Sequence, residues 1–257
     1  MTESTQAKTA VSLQGWWRFD EPGGQEVADL SGNGHTLAPT GGPSRVGGGK
    51  FGGAYALDGA TQWLSTSGPV VATDTSLSIA AWVRMDSAIV GDTPALKPDY
   101  YAVTAVSQDG PAQCPVYLGA RLIDNPLGSG TGYTLRWNFT ASPAEDDETG
   151  VEWAHAYSQR VIDASELDQW VLLVGVYSPS TSAVRLYVPG NDDEGFKRLP
   201  PAWPTWRSEG AFQLGRGWFK GEVADQWPGS IGQVRIYTGE LTREDAARLY
   251  AEDSLSA

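Results

Sequence analysis

Trp17-Arg18-Phe19-Asp20-Glu21, followed by Asp29-Leu30-Ser31-Gly32-Asn33-Gly34-His35, stands near the start of the chain. Gly229-Ser230-Ile231-Gly232-Gln233-Val234-Arg235-Ile236-Tyr237 stands near its end, ahead of a short helical pattern. With the two blocks included, about 220 residues of strand-and-turn sequence run from Trp17 to Tyr237, which implies that the ends pair and close one sandwich.

The sequence between them supports that reading. Ser76 to Arg84 alternates, with Leu77, Ile79 and Ala81 on one face. Gly132 to Phe139 puts Tyr133, Leu135, Trp137 and Phe139 on one face, and Trp170 to Tyr177 is apolar throughout, as a central strand would be. Ala183 to Val188 follows a Ser/Pro-rich hairpin loop, and Ala211 to Gly215 and Ile231 to Tyr237 complete the clear strands. Gly41 to Gly49, Gly128 to Gly132 and Asn191 to Gly195 read as loops, and Ile89 to Pro126 as a long irregular connection. About twelve to fourteen strands at even spacing predict an all-β fold, a two-sheet antiparallel jelly-roll sandwich. One helix closes it. Thr242 with Asp245 forms a capping-box-like start, and Ala246, Leu249 and Tyr250 give an apolar stripe. The predicted organisation is a flexible segment over 1–12, a single domain over 13–253 and a tail over 254–257.

The chain has 257 residues, 40% of them hydrophobic and 19% charged, so it can bury a large core. Its formal charge of -13 argues against non-specific binding to nucleic acid or an anionic membrane. No apolar run is long enough to predict membrane insertion. Cys114 is the single cysteine, which excludes an internal disulfide, and His35 and His155 are too few for a histidine-rich metal centre. The first thirteen residues lack an apolar signal core; a full-length chain would be cytoplasmic, a trimmed one extracellular.

Several blocks together resemble a laminin-G-like domain of the concanavalin A-like lectin/glucanase superfamily. They are Trp17 to Glu21, Asp29 to His35, Phe51 to Gly59, Ser78 to Val83, Trp170 to Val174, Val184 to Val188, Phe212 to Gly217, and Ile231 to Tyr237 with Leu241 to Tyr250. The resemblance implies a concanavalin A-like jelly roll of about fourteen strands that binds glycans or protein surfaces, often with structural calcium. It would place that calcium at Asp29 and Asn33, with Asp58 as a third ligand. Gly232 and Gln233 stand where the family has an acidic residue, so a carbonyl or Gln233 would substitute. The plainer alternative is that Asp29 and Asn33 only cap a tight turn.

Two further sets carry chemistry. Trp203, Trp206, Trp218 and Trp227 lie in Pro/Gly-rich stretches and, with Tyr100, Tyr101 and Tyr117, could stack on sugars or pin loops to the core. The Glu-x-Asp-x-x-Glu pattern of the superfamily's hydrolases is absent, which leaves His155 and Tyr157, an i, i+2 pair on one sheet face, as the candidate proton-transfer residues. Arg121 and Arg136 could meet an anionic group, and Cys114 has no evident activating partner beyond His155. The leading expectation is a non-catalytic module that binds a carbohydrate, a small molecule or a surface through edge loops. One alternative is a biosynthetic isomerase or cyclase enclosing a small hydrophobic substrate; another is a structural component of a larger particle.

Overall fold

The computed structural model describes residues 10–21, 26–47, 52–90, 101–124, 133–146 and 150–255. Two antiparallel sheets face each other, with strands numbered in chain order. The first sheet runs β13 (Asp193–Arg198), β12 (Ala183–Val188), β11 (Val171–Ser178), β6 (Leu77–Met85), β17 (Pro228–Thr238), β4 (Gly53–Asp58) and β3 (Ser44–Gly47). β1 (Ser12–Trp17) joins it on β17. The second runs β10 (Ala154–Tyr157), β9 (Tyr133–Ala141), β8 (Val116–Asp124), β7 (Ala102–Gln108), β14 (Phe212–Leu214), β5 (Trp63–Ser65) and β2 (Ala38–Thr40). A separate hairpin pairs β15 (Gly217–Phe219) with β16 (Glu222–Ala224).

The chain ends meet as their sequences require. Trp16 lies opposite Arg235 and Trp17 opposite Val234. The long strand β17 serves β1 with one half and β4 with the other, while β6 lines its far edge. A bulge falls between Gly232 and Val234, at Gln233.

Inward-facing residues from both sheets fill the space between them. Trp17 stacks on Phe212 with ring centroids 5.3 Å apart, and Trp137 on Trp227 at 6.4 Å. Gly175 leaves room for the Phe139 ring, which a Cβ there would strike. The first sheet is also covered outside: the helix Arg243–Leu255 lays Ala246 and Leu249 over Trp82, Leu172 and Val174.

Three predicted loops contain strands. Gly41 to Gly49 holds β3. The stretch Ile89 to Pro126 contains β7 and β8, and Asn191 to Gly195 ends in the first half of β13. Small and polar residues on one face of β7 and β8 masked their alternation.

Candidate functional site

The outer face of the second sheet carries the site. Val116, Leu118 and Ala120 of β8 point into the core, so Tyr117, Gly119 and Arg121 point away from it. The same alternation turns Asn138 and Thr140 of β9, and His155 and Tyr157 of β10, outward. Strand register aligns them in rows: Thr104, Gly119, Asn138 and Tyr157 form one, and Tyr117, Thr140 and His155 the next.

Two walls rise from this floor. One is the β15–β16 hairpin, held where the Trp218 carbonyl accepts from the Tyr117 hydroxyl at 2.7 Å and from Cys114 N at 3.1 Å. The Asp225 carbonyl just beyond the hairpin accepts from Thr104 N at 2.7 Å. The other wall is β13, where the sheets meet at their margins. Gly195 lets β13 approach β10 so closely that a Cβ there would strike the Tyr157 backbone. Between the walls lies an open groove of about 700 Å³, lined by Arg121, Glu152, Trp153, His155 and Lys197 and by Phe219 and Lys220 of the hairpin. A narrow recess at its floor reaches Thr104, Asn138, Thr140 and Asp225.

Aromatic rings and polar groups alternate along it. Trp153, His155 and Tyr157 stack in succession, at 6.3 and then 5.6 Å between centroids, and Phe219 meets Trp153 edge-on at 5.9 Å. His155 Nδ1 lies 2.8 Å from the Thr140 hydroxyl, which donates to Asn138 Oδ1 at 3.0 Å. The hydroxyl therefore accepts from Nδ1–H and leaves Nε2 as the acceptor. Burial, then Arg121 and Lys197, push His155 down to about 3, so it is neutral at ordinary pH. Burial pushes the Asp225 carboxyl up to about 6, against the pull of Arg121. Asn138 Nδ2 is buried and has no hydrogen-bond partner among the described protein groups.

Of the residues singled out from sequence, His155, Tyr157, Arg121 and Tyr117 come together here. Arg136 does not, since its guanidinium is tied to the Ser158 and Gln159 carbonyls. Trp203, Trp206, Trp218, Trp227 and Tyr101 do not line the groove. Trp227 is fully buried, and Trp203 packs on the core with its indole N–H 3.0 Å from the Tyr177 hydroxyl. Trp206 donates to the Ser142 carbonyl at 3.2 Å, and Trp218 to the Pro111 carbonyl at 3.2 Å with Arg216 over its ring. Tyr101 packs against the core, and Tyr100 lies outside the described residues. Pro- and Gly-rich loops folded back on the sandwich ends because burying an indole outweighs leaving it in water. Trp153 and Phe219, which do line the groove, were missed. The signal available was Trp153, His155 and Tyr157 at i, i+2, i+4, one face of a strand.

Cys114 is buried and its thiol is pushed up to about 12 by burial and by Asp109, so it is no nucleophile. The proposed calcium ligands each serve their own turn. Asp29 accepts from Trp16 N, Ser31 N, Ser31 Oγ and His35 N, all within 2.8–3.0 Å. Although burial opposes it, these bonds hold its carboxyl below the usual range. Asn33 donates to the Leu13 and Gln14 carbonyls. Asp58 closes a separate turn with Ala60, Thr61 and Gln62. It lies opposite Pro228, whereas Trp16, beside Asp29, lies opposite Arg235. Seven residues of strand put these sites roughly 20 Å apart. The three residues therefore do not fit one calcium ion, and among the described residues no group of three or more His, Cys, Asp or Glu could hold a metal.

The same architecture recurs in solved structures. Domain 4 of AbnA, an extracellular arabinanase of Geobacillus stearothermophilus solved with arabinotriose, is 20% identical, with a TM-score of 0.61 over 93% of this chain and 98% of that one. The botulinum neurotoxin serotype D/C binding domain gives 0.64 at 13% identity, and the Paraclostridial Mosquitocidal Protein 1 binding domain 0.61 at 14%. Each of those two aligns over 94% of this chain, which spans 52% of theirs. No curated protein matches. The laminin-G-type family profile Laminin_G_3 matches residues 58–247, most of the chain. With its two-sheet jelly roll and paired ends, the chain belongs to the concanavalin A-like lectin/glucanases superfamily.

Proposed function

We propose that this protein is a carbohydrate-binding module that takes its ligand in the groove on the outer face of the second sheet, rather than on edge loops. The observation that carries the reading is the Asn138 side-chain amide, buried beneath the groove with an unused donor. A buried unpaired donor costs about 1–3 kcal/mol, and a sugar hydroxyl reaching the recess would remove that cost. Trp153 and Phe219 offer apolar surface for the ring face of a sugar, while Thr140, His155 Nε2 and Glu152 offer polar contacts. The AbnA domain was solved with arabinotriose, and cell entry of botulinum neurotoxin type C depends on interaction with two ganglioside molecules. Both precedents favour a sugar over a protein surface as the ligand class.

The test is a glycan array followed by calorimetric titration of the best ligand. Trp153→Ala is expected to weaken binding about tenfold or more, the scale of losing one stacking contact in a shallow site. Trp203→Phe, remote from the groove, leaves affinity unchanged. Equal affinity in wild type and Trp153→Ala sinks the assignment of the groove.

A further inference from the structure

Acidic residues outnumber basic ones 31 to 18 in this chain, yet the groove reverses that balance. Arg121 stands on its floor, Lys197 on the β13 wall and Lys220 on the hairpin wall, against Glu152 at the rim and Asp225 in the recess. Neither lysine forms an ion pair with any described residue. Lys220 instead rests its ammonium 5.1 Å from the centre of the Phe219 ring, which keeps the charge beside the groove. By contrast, Arg216 is clamped by Asp109, and Arg235 by Asp253. The groove is also rich in donors. Both ammonium groups stand exposed beside it, and the unused Asn138 amide calls for an acceptor.

We infer that the ligand is an anionic glycan, whose carboxylate or sulfate lies between Lys197 and Lys220 above Arg121 while a neutral part of the sugar reaches Asn138. The inference rests on the groove assigned above and names the class of sugar it takes. The two lysines sit on opposite walls and both are exposed, so neither is desolvated in the free protein. The rest of this acidic surface repels anions, which confines them to this groove.

The test uses the whole chain. An array pairs acidic glycans (uronate, sialylated and sulfated) with their uncharged parents, and sodium sulfate serves as a ligand-independent probe followed by the His155 imidazole resonances. The variant is Lys197→Gln with Lys220→Asn, chosen because Lys220 has a φ of 53°, a left-handed backbone that Asn accepts. The expected result is selective capture of acidic glycans, weakened about tenfold or more in the double variant and by added salt. Equal capture of neutral parents, unaffected by the double variant, overturns the anionic class while leaving the sugar site standing. No glycan bound but a sulfate shift at His155 that the double variant abolishes keeps the anion site and sinks the sugar reading. No glycan and no sulfate response overturns both.

Discussion

At Asp225 a carboxylate sits where water reaches it poorly. Its backbone is also left-handed, with φ 54°, a conformation Asp and Asn tolerate better than other side chains. The fold holds its pKa at about 6, above its ordinary value, with burial outweighing Arg121. The sign follows directly. A carboxyl raised on folding favours its protonated form in the native state, so the penalty is absent below about pH 4, the unfolded value, and grows as pH rises through about 6. Asp225→Asn keeps the backbone preference and removes the charge. It is expected to leave stability unchanged at pH 4 and to raise it by roughly 1–2 kcal/mol at pH 8. Thermal melts at both pH values check this; a loss of stability at pH 8 would mean that Asp225 is held as a needed counter-charge. Asp29 is the opposite case. Its carboxylate anchors three donors of its own turn and the Trp16 amide of β1, and Asp29→Ala would strand the Trp16, Ser31 and His35 amides. A cost of about 2–3 kcal/mol is expected in urea denaturation, the same with calcium as with chelator. A cost that appears only with calcium present would restore the metal to this turn.

At the scale of the element, the C-terminal helix shows how a local signal becomes a tertiary one. Thr242 N and Oγ1 donate to Asp245 Oδ2, and Asp245 N donates back to the Thr242 hydroxyl. This reciprocal cap was legible from four residues of sequence. What the cap positions was not legible. Asp253, eight residues on, accepts from the Trp82 indole at 2.8 Å and from both Arg235 amino groups at 2.8 and 3.0 Å, while Tyr250 stacks on Trp82. Asp253→Ala would leave Arg235 buried without its counter-charge and cost about 3–5 kcal/mol. Urea denaturation reads it, and a change below about 1 kcal/mol would mean the helix is pinned by its apolar face alone. The same contrast runs through the strands. β11 was plain because both its faces are covered, so its sequence is apolar throughout. β7 and β8 were hidden because their outer face carries Thr104, Gly119 and Arg121 under a groove. The very residues that make the site weaken the strand pattern that would have revealed it.

The whole molecule depends on its last strand. β17 places Ile231, Val234 and Ile236 in the core and supplies hydrogen bonds to β1 on one half, β4 on the other and β6 along its far edge. That pairing of the two ends could be read from Trp17 to Glu21 and Gly229 to Tyr237, because each block is a strand whose apolar face needs a partner. The groove could not be read so, since its residues come from five strands and a hairpin, and only folding makes them neighbours. The topology carries a consequence for stability. Without β17, β1 and β4 lose their shared partner, β6 loses one edge, and Trp17 loses part of its cover. A chain ending at Gln226 would then hold a sheet split at its middle, with long unpaired edges. Such a chain is expected to lack a cooperative thermal transition and near-ultraviolet dichroism, while the full chain melts in one transition. Because contacts between the ends span nearly the whole sequence, refolding of the full chain is expected in milliseconds to seconds rather than microseconds. A cooperative melt in the shortened chain, or two separate transitions in the full one, would mean that the sheets fold as units before the ends meet.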